Sequence, residues 1–265
     1  MRWKQNLWMF PAALVFGLWL SWSYMNPYGG VTTLSSLVEQ LSGSRGDFPL
    51  EPNMSELLSF TLRLLPFLVF QALAGISFYR HYCTASVYIF SRMPNRLKWY
   101  RKECALLALH TLLYQALILA AAIALAAMRW TITDVAHGLP VLVCHLLIWS
   151  LWTFAFTLGV NLLAIYVGSS TAFAALAGVQ VACISTLAVL TRLEENPDLA
   201  LVVKRVNPVT CLILNWQTSR FLPAGSGIYW EDSLVLVLAA AAAMAIVGGI
   251  LVQRHDLLIS DTDGG

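Results

Sequence analysis

Among the polar side chains inside the long apolar runs of this sequence, His110, Gln115, His145, Asn161 and Gln180 are the candidates for chemistry. Such a group is costly to place in hydrocarbon, so each marks either a substrate or ion pathway or a hydrogen bond between helices. An interhelical bond of this kind is worth roughly 0.6–2 kcal/mol. His110 and Tyr114, at i and i+4, share one helix face. No acidic residue lies deep in an apolar run, so a carboxylate relay for protons or sodium has nothing to start from. Packing is the favoured role for these residues, and a transport pathway is the competing one.

Other chemistry finds little support. The chain has no GxxxxGK[ST] phosphate loop and no HExxH zinc-protease motif. Gly225-Ser226-Gly227 resembles an intramembrane serine nucleophile, but Ala224 stands where that motif wants Gly and no His follows in the last apolar run. Glu194-Glu195 lacks the Arg that a glutamate-type membrane protease needs. Cys83, Cys104, Cys144, Cys183 and Cys211 show no CxxC spacing, which argues against both a disulfide framework and a zinc site. The expectation is a chain without catalytic, cofactor-binding or metal-binding residues, and without a nucleic-acid partner.

The elements that must carry these polar residues follow from composition. The chain is 58% hydrophobic and 11% charged, against about 25% charged residues in soluble domains. Its apolar residues fall in blocks of membrane-helix length, roughly 20 residues. Six such blocks, at about 6–25, 57–78, 104–128, 139–163, 171–191 and 233–252, predict an all-α polytopic membrane protein forming one transmembrane domain over 1–265. The first block is longer than a signal-peptide core and lacks a small-residue cleavage site, so it reads as a retained span.

Charge predicts the orientation. With both termini in the cytoplasm, the inner segments carry nine basic and four acidic residues, and the outer ones six basic and ten acidic. Arg63 is left inside the second span, with a side chain long enough to snorkel outward. Trp22, Tyr24, Tyr28, Trp99, Tyr100, Trp130 and Trp230 fall near predicted interfaces, where aromatic rings prefer to lie.

Three loops carry information. The cytoplasmic loop 79–103 holds six of the sixteen Lys and Arg residues, yet encloses the uncharged core YCTASVYIF. On a helix ending before Pro94, Thr84, Val87, Tyr88 and Ser91 would share one face. The outer loop 26–56 contains TTLSSLVEQLSGS, an amphipathic stretch with Leu34, Leu37 and Leu41 on one face. In the outer loop 192–232 the run VNPVTCLILNW is too short to span, and predicts a re-entrant or surface-lying segment that protein must cover. The turn YVGSST between the fourth and fifth blocks is tight and uncharged. Small-residue runs in the last two blocks, AFAALAGVQVACIS and AAAAAMAIVGG, suit close helix packing or a dimer seam.

This layout resembles the permease subunit of a type-2 ATP-binding-cassette (ABC) exporter. The resemblance covers nearly the whole chain and rests on six spans, both ends inside, a large basic first inner loop and a partly apolar last outer loop. It departs from the family in one respect: only MRWKQN precedes the first span, where an amphipathic helix is common. The resemblance implies a multi-pass protein of the bacterial cytoplasmic membrane that pairs with a second permease, as a homo- or heterodimer. It also implies a separate ATPase subunit that holds ATP and Mg. The coupling helix that docks on that subunit would be Tyr82 to Arg92, with Tyr82, Thr84, Val87, Tyr88, Ser91 and Arg92 as contacts. The alternative is a stand-alone small channel or carrier, or an integral membrane assembly factor, with no ATPase partner.

Overall fold

A computed structural model of the chain describes residues 7–24, 28–42, 54–75, 96–187, 197–218 and 228–254. The protein is mostly helical. Helices α1 (Met9–Tyr24), α2 (Leu34–Ser42), α3 (Met54–Arg63) and α4 (Leu65–Gly75) are short. After them come α5 (Arg96–Ala127), α6 (Val135–Val167), α7 (Ser169–Leu187), α8 (Pro197–Val206) and α9 (Trp230–Arg254). Among the described residues α5, α6, α7 and α9 are long and apolar enough to cross a membrane. The surfaces of α7 and α9 are apolar and largely exposed, with Val179, Val181, Val235, Leu238, Ile246 and Val247 facing outward. A helix apolar on all sides belongs in lipid rather than water.

The first two predicted spans take a shorter form. Helix α1 has 16 residues, about 24 Å at 1.5 Å per residue. Residues 57–75 of the second span belong to two helices, α3 and α4, that meet at Leu64. Pro66 explains the break, because it supplies no N–H to the helical ladder and disfavours helical geometry at the residue before it. The chain continues through a tight turn, with the amides of Phe67 and Leu68 both donating to the Leu64 carbonyl at 3.0 Å. Helix α5, in contrast, has 32 residues, about 48 Å, and so outruns a hydrocarbon core of roughly 30 Å. Its first turns carry Lys98, Arg101 and Lys102 on exposed positions.

Side-chain hydrogen bonds and a tight turn fix how the rods meet. Tyr24, at the end of α1, donates to the Ser59 carbonyl near the start of α3. Tyr100, at the start of α5, donates to the Ala245 carbonyl near the end of α9 at 3.1 Å. Between α6 and α7 the reversal takes a single residue, Gly168, with φ 81° and its N–H on the Ala164 carbonyl. A residue with a Cβ rarely adopts that conformation. Close packing elsewhere also needs glycine. A Cβ on Gly17 of α1 would run into the Ile118 carbonyl oxygen and lie 2.7 Å from the Ala121 Cβ on α5.

One end of the bundle is capped. Helix α2 buries Leu34, Leu37, Val38 and Leu41 against it, on the face read from sequence. Thr33 caps this helix, its Oγ1 accepting from the Ser36 amide at 3.2 Å. Strand β1 (Gly30–Thr33) pairs in parallel with β2 (Trp130–Thr133), tying the loop after α1 to the loop after α5. The segment after α8 forms two 3-10 turns, Pro208–Leu212 and Leu214–Trp216. Val209, Cys211, Leu212, Ile213 and Trp216 in these turns pack into a core with Phe60, Phe67, Trp149 and Trp152. This apolar, non-α backbone is covered by protein, as the sequence demanded. A two-residue parallel pair, β3 (Gln217–Thr218) with β4 (Ile228–Tyr229), leads into α9.

Candidate functional site

The polar residues singled out in sequence fall into separate groups rather than one line. At the capped end, Gln115 and His145 meet Arg63 and Trp149 around a small chamber, completed by Leu20, Leu41, Phe67, Ile118, Leu119 and Ala122. Its volume is about 20 Å³, enough for about one water. The break at Leu64 places Arg63 here. Although the side chain reaches outward, it does not reach solvent: Arg63 is only 3% exposed. Its guanidinium donates to the Gln40 carbonyl of α2 and stacks 3.7 Å above the Tyr24 ring. Helix α2 therefore lids the cation, and the aromatic face offsets part of its desolvation.

The polar atoms in this chamber are satisfied unevenly. Gln115 Nε2 donates to Thr153 Oγ1 at 3.0 Å, and Thr153 in turn donates to the Trp149 carbonyl at 2.8 Å. His145 lies against Trp149 with ring centroids 5.3 Å apart, and Trp149 packs on Phe67 at 4.3 Å. Among the described residues, His145 Nδ1 and Trp149 Nε1 are buried without a hydrogen-bond partner. A buried polar atom left this way costs on the order of 1–3 kcal/mol. A water in the chamber would be the smallest group able to relieve it.

Gln180 belongs to a second group. It exchanges amide hydrogen bonds with Gln71 of α4, one at 2.8 Å and one at 3.4 Å, and its Oε1 also accepts from Trp152 Nε1 at 3.2 Å. This closed triad joins α4, α6 and α7 and leaves Gln180 1% exposed. His110 Nδ1 lies 2.5 Å from the Leu106 carbonyl one turn earlier. Tyr114, on the same face, donates to the Pro66 carbonyl at 3.0 Å and so engages the break in the second span. Asn161 sits apart. It is 1% exposed, beside Gly75 at the end of α4, and among the described residues neither amide atom has a partner.

The structure thus brings together Gln115 and His145, and separates them from Gln180, His110 and Asn161. Gln115 and Gln180 act as hydrogen-bonded joints between helices. Sequence reading missed Gln71, Trp149, Trp152 and Glu103. Gln71 was visible as the lone amide in FLVFQALAG. Glu103, at the end of the loop 79–103, lies within α5 and is buried. Tyr82, Thr84, Val87, Tyr88, Ser91 and Arg92 lie outside the described residues. Among the described residues no three His, Cys, Asp or Glu side chains gather as metal ligands.

No protein-family model matches the chain, and no curated protein and no solved structure matches it either. The geometry shows a helical protein with, among the described residues, four helices able to cross a membrane, a capped end and a polar interior divided among separate joints.

Proposed function

We propose that this chain is the permease subunit of an ABC exporter, with six spans and both termini in the cytoplasm. A separate ATPase subunit would bind and hydrolyse ATP with Mg, and this chain would pair with itself or a sister permease to move the substrate. The carrying observation is the contrast between the two ends of the bundle. One end is closed by α2, the β1–β2 pair and the buried 3-10 turns. The other exposes the basic first turns of the long helix α5, with Lys98, Arg101 and Lys102 on exposed positions. Exposed Lys and Arg there suit a cytoplasmic, anionic lipid surface at about 1 kcal/mol each. Motion of a docked coupling segment would then reach the spans through α5.

The test is co-purification of the chain with an ATPase, followed by Val87→Asp and Tyr88→Asp. The proposal expects both substitutions to uncouple or detach the ATPase while the chain stays folded. An associated ATPase whose coupled activity survives both changes would refute it. A channel or carrier acting alone would instead tolerate them and lose activity in His110→Ala and His145→Ala.

A further inference from the structure

The flank of the bundle carries a groove that the permease reading does not use. It lies where the start of α9 meets the first turns of α6, and its volume is about 480 Å³, within the range of about 300–1,000 Å³ typical of small-molecule sites. Leu139, Val143 and Leu147 form a stripe along α6, spaced at i, i+4 and i+8, and Leu234 faces them from α9. All three α6 residues are well exposed, so the groove opens sideways.

Its mouth has a definite charge. Glu231 is the one charged side chain lining the groove among the described residues, and Trp230 lies next to it. Glu231 makes no ion pair among the described residues, and exposed Asp232 follows it in the chain. Carboxylates in the first turn of α9 also favour the helix dipole. That role alone would be met anywhere around the turn and does not require a place in an apolar groove.

From this we infer that the groove binds a single-chain cationic amphiphile, such as a long-chain amine or quaternary ammonium compound. The chain lies along Leu139, Val143, Leu147 and Leu234, and the cation sits between the Glu231 carboxylate and the Trp230 ring. A carboxylate and an indole are independent attractors of the same ligand, one through charge and one through the ring quadrupole. An anionic head would meet Glu231 with like charge. The inference does not depend on an ATPase.

The experiment uses the full chain in phosphatidylcholine nanodiscs, so that bilayer lipid competes throughout. The probe is dodecyltrimethylammonium brominated near its head, and the counter-probe is the same brominated chain ending in sulfate. The Trp230 signal is the quenching that disappears in Trp230→Phe. Saturable quenching is expected, with the ammonium chain bound about fivefold more tightly than the sulfate chain. Glu231→Gln should abolish that preference, and Val143→Trp, which fills the groove floor, should abolish saturation. Unsaturable quenching, equal binding of the two probes, or an unchanged preference in Glu231→Gln would each overturn the inference. So would saturable binding that survives Val143→Trp.

Discussion

A double-mutant cycle at Gln71 and Gln180 tests whether the buried amides are joints. The two residues exchange one short and one long hydrogen bond, 2.8 Å and 3.4 Å. Bonds of this kind inside membranes average about 0.6 kcal/mol and reach about 1.7 kcal/mol. With the short bond near the top of that range and the long one near its average, the pair contributes about 2 kcal/mol. Gln71→Leu removes both bonds but leaves Gln180 Oε1 accepting from Trp152 and its Nε2 3.5 Å from the Leu176 carbonyl. The expected loss is about 1.5 kcal/mol. Gln180→Leu also strands the Gln71 amide and the Trp152 N–H in apolar surroundings, for an expected loss of about 2.5 kcal/mol. In the double variant no Gln71 amide remains to be stranded, and the loss should stay near 2.5 kcal/mol. The coupling is therefore about 1.5 kcal/mol. Reversible unfolding in mixed micelles, titrated with sodium dodecyl sulfate and followed by circular dichroism, measures all four corners. Losses that add to within about 0.5 kcal/mol would refute the reasoning. The glutamines would then not be coupled across the α4–α7 contact.

Three further outcomes follow from the packing and the cap. Gly17→Ala should cost about 1–3 kcal/mol in the same assay, because its Cβ meets the α5 backbone. Gly178→Ala, whose Cβ meets only open space, should cost nothing and gain up to about 1 kcal/mol of helix propensity. Burial of Glu39 on α2 raises its carboxyl above the usual carboxylate range. The folded state therefore holds this proton more tightly, so stability from Glu39 is greatest below the ordinary pKa and falls as pH rises through the folded-state value. Glu39→Gln should stabilise the protein near neutral pH by less than about 1 kcal/mol, since partial exposure screens the effect. Thermal unfolding across the acidic-to-neutral range should show a flatter profile, and an unchanged profile would contradict the assignment.

For four of the six apolar blocks the sequence alone determined that a long helix forms and roughly where, because a run of about 20 apolar residues has few other stable states. The amphipathic face of α2 and the need to cover VNPVTCLILNW were equally legible, since both follow from local spacing and from unsatisfied backbone. The uncharged turn at Gly168 was readable for the same local reason. The strands were not. GVTT and WTIT are four residues each, and such short strands acquire structure only from a partner about a hundred positions away. Division of the second span at Leu64 was signalled by Pro66, but its consequence, Arg63 folded under α2 instead of reaching solvent, depends on where α2 lands. The polar residues show the same limit most clearly. Their types were plain in sequence, and so was the cost of burying them. Which of them meet, Gln115 and His145 with Arg63, and Gln180 with Gln71 and Trp152, was decided only by the packing of the helices. A side-chain hydrogen bond depends on distances of a fraction of an ångström that no single helix can set.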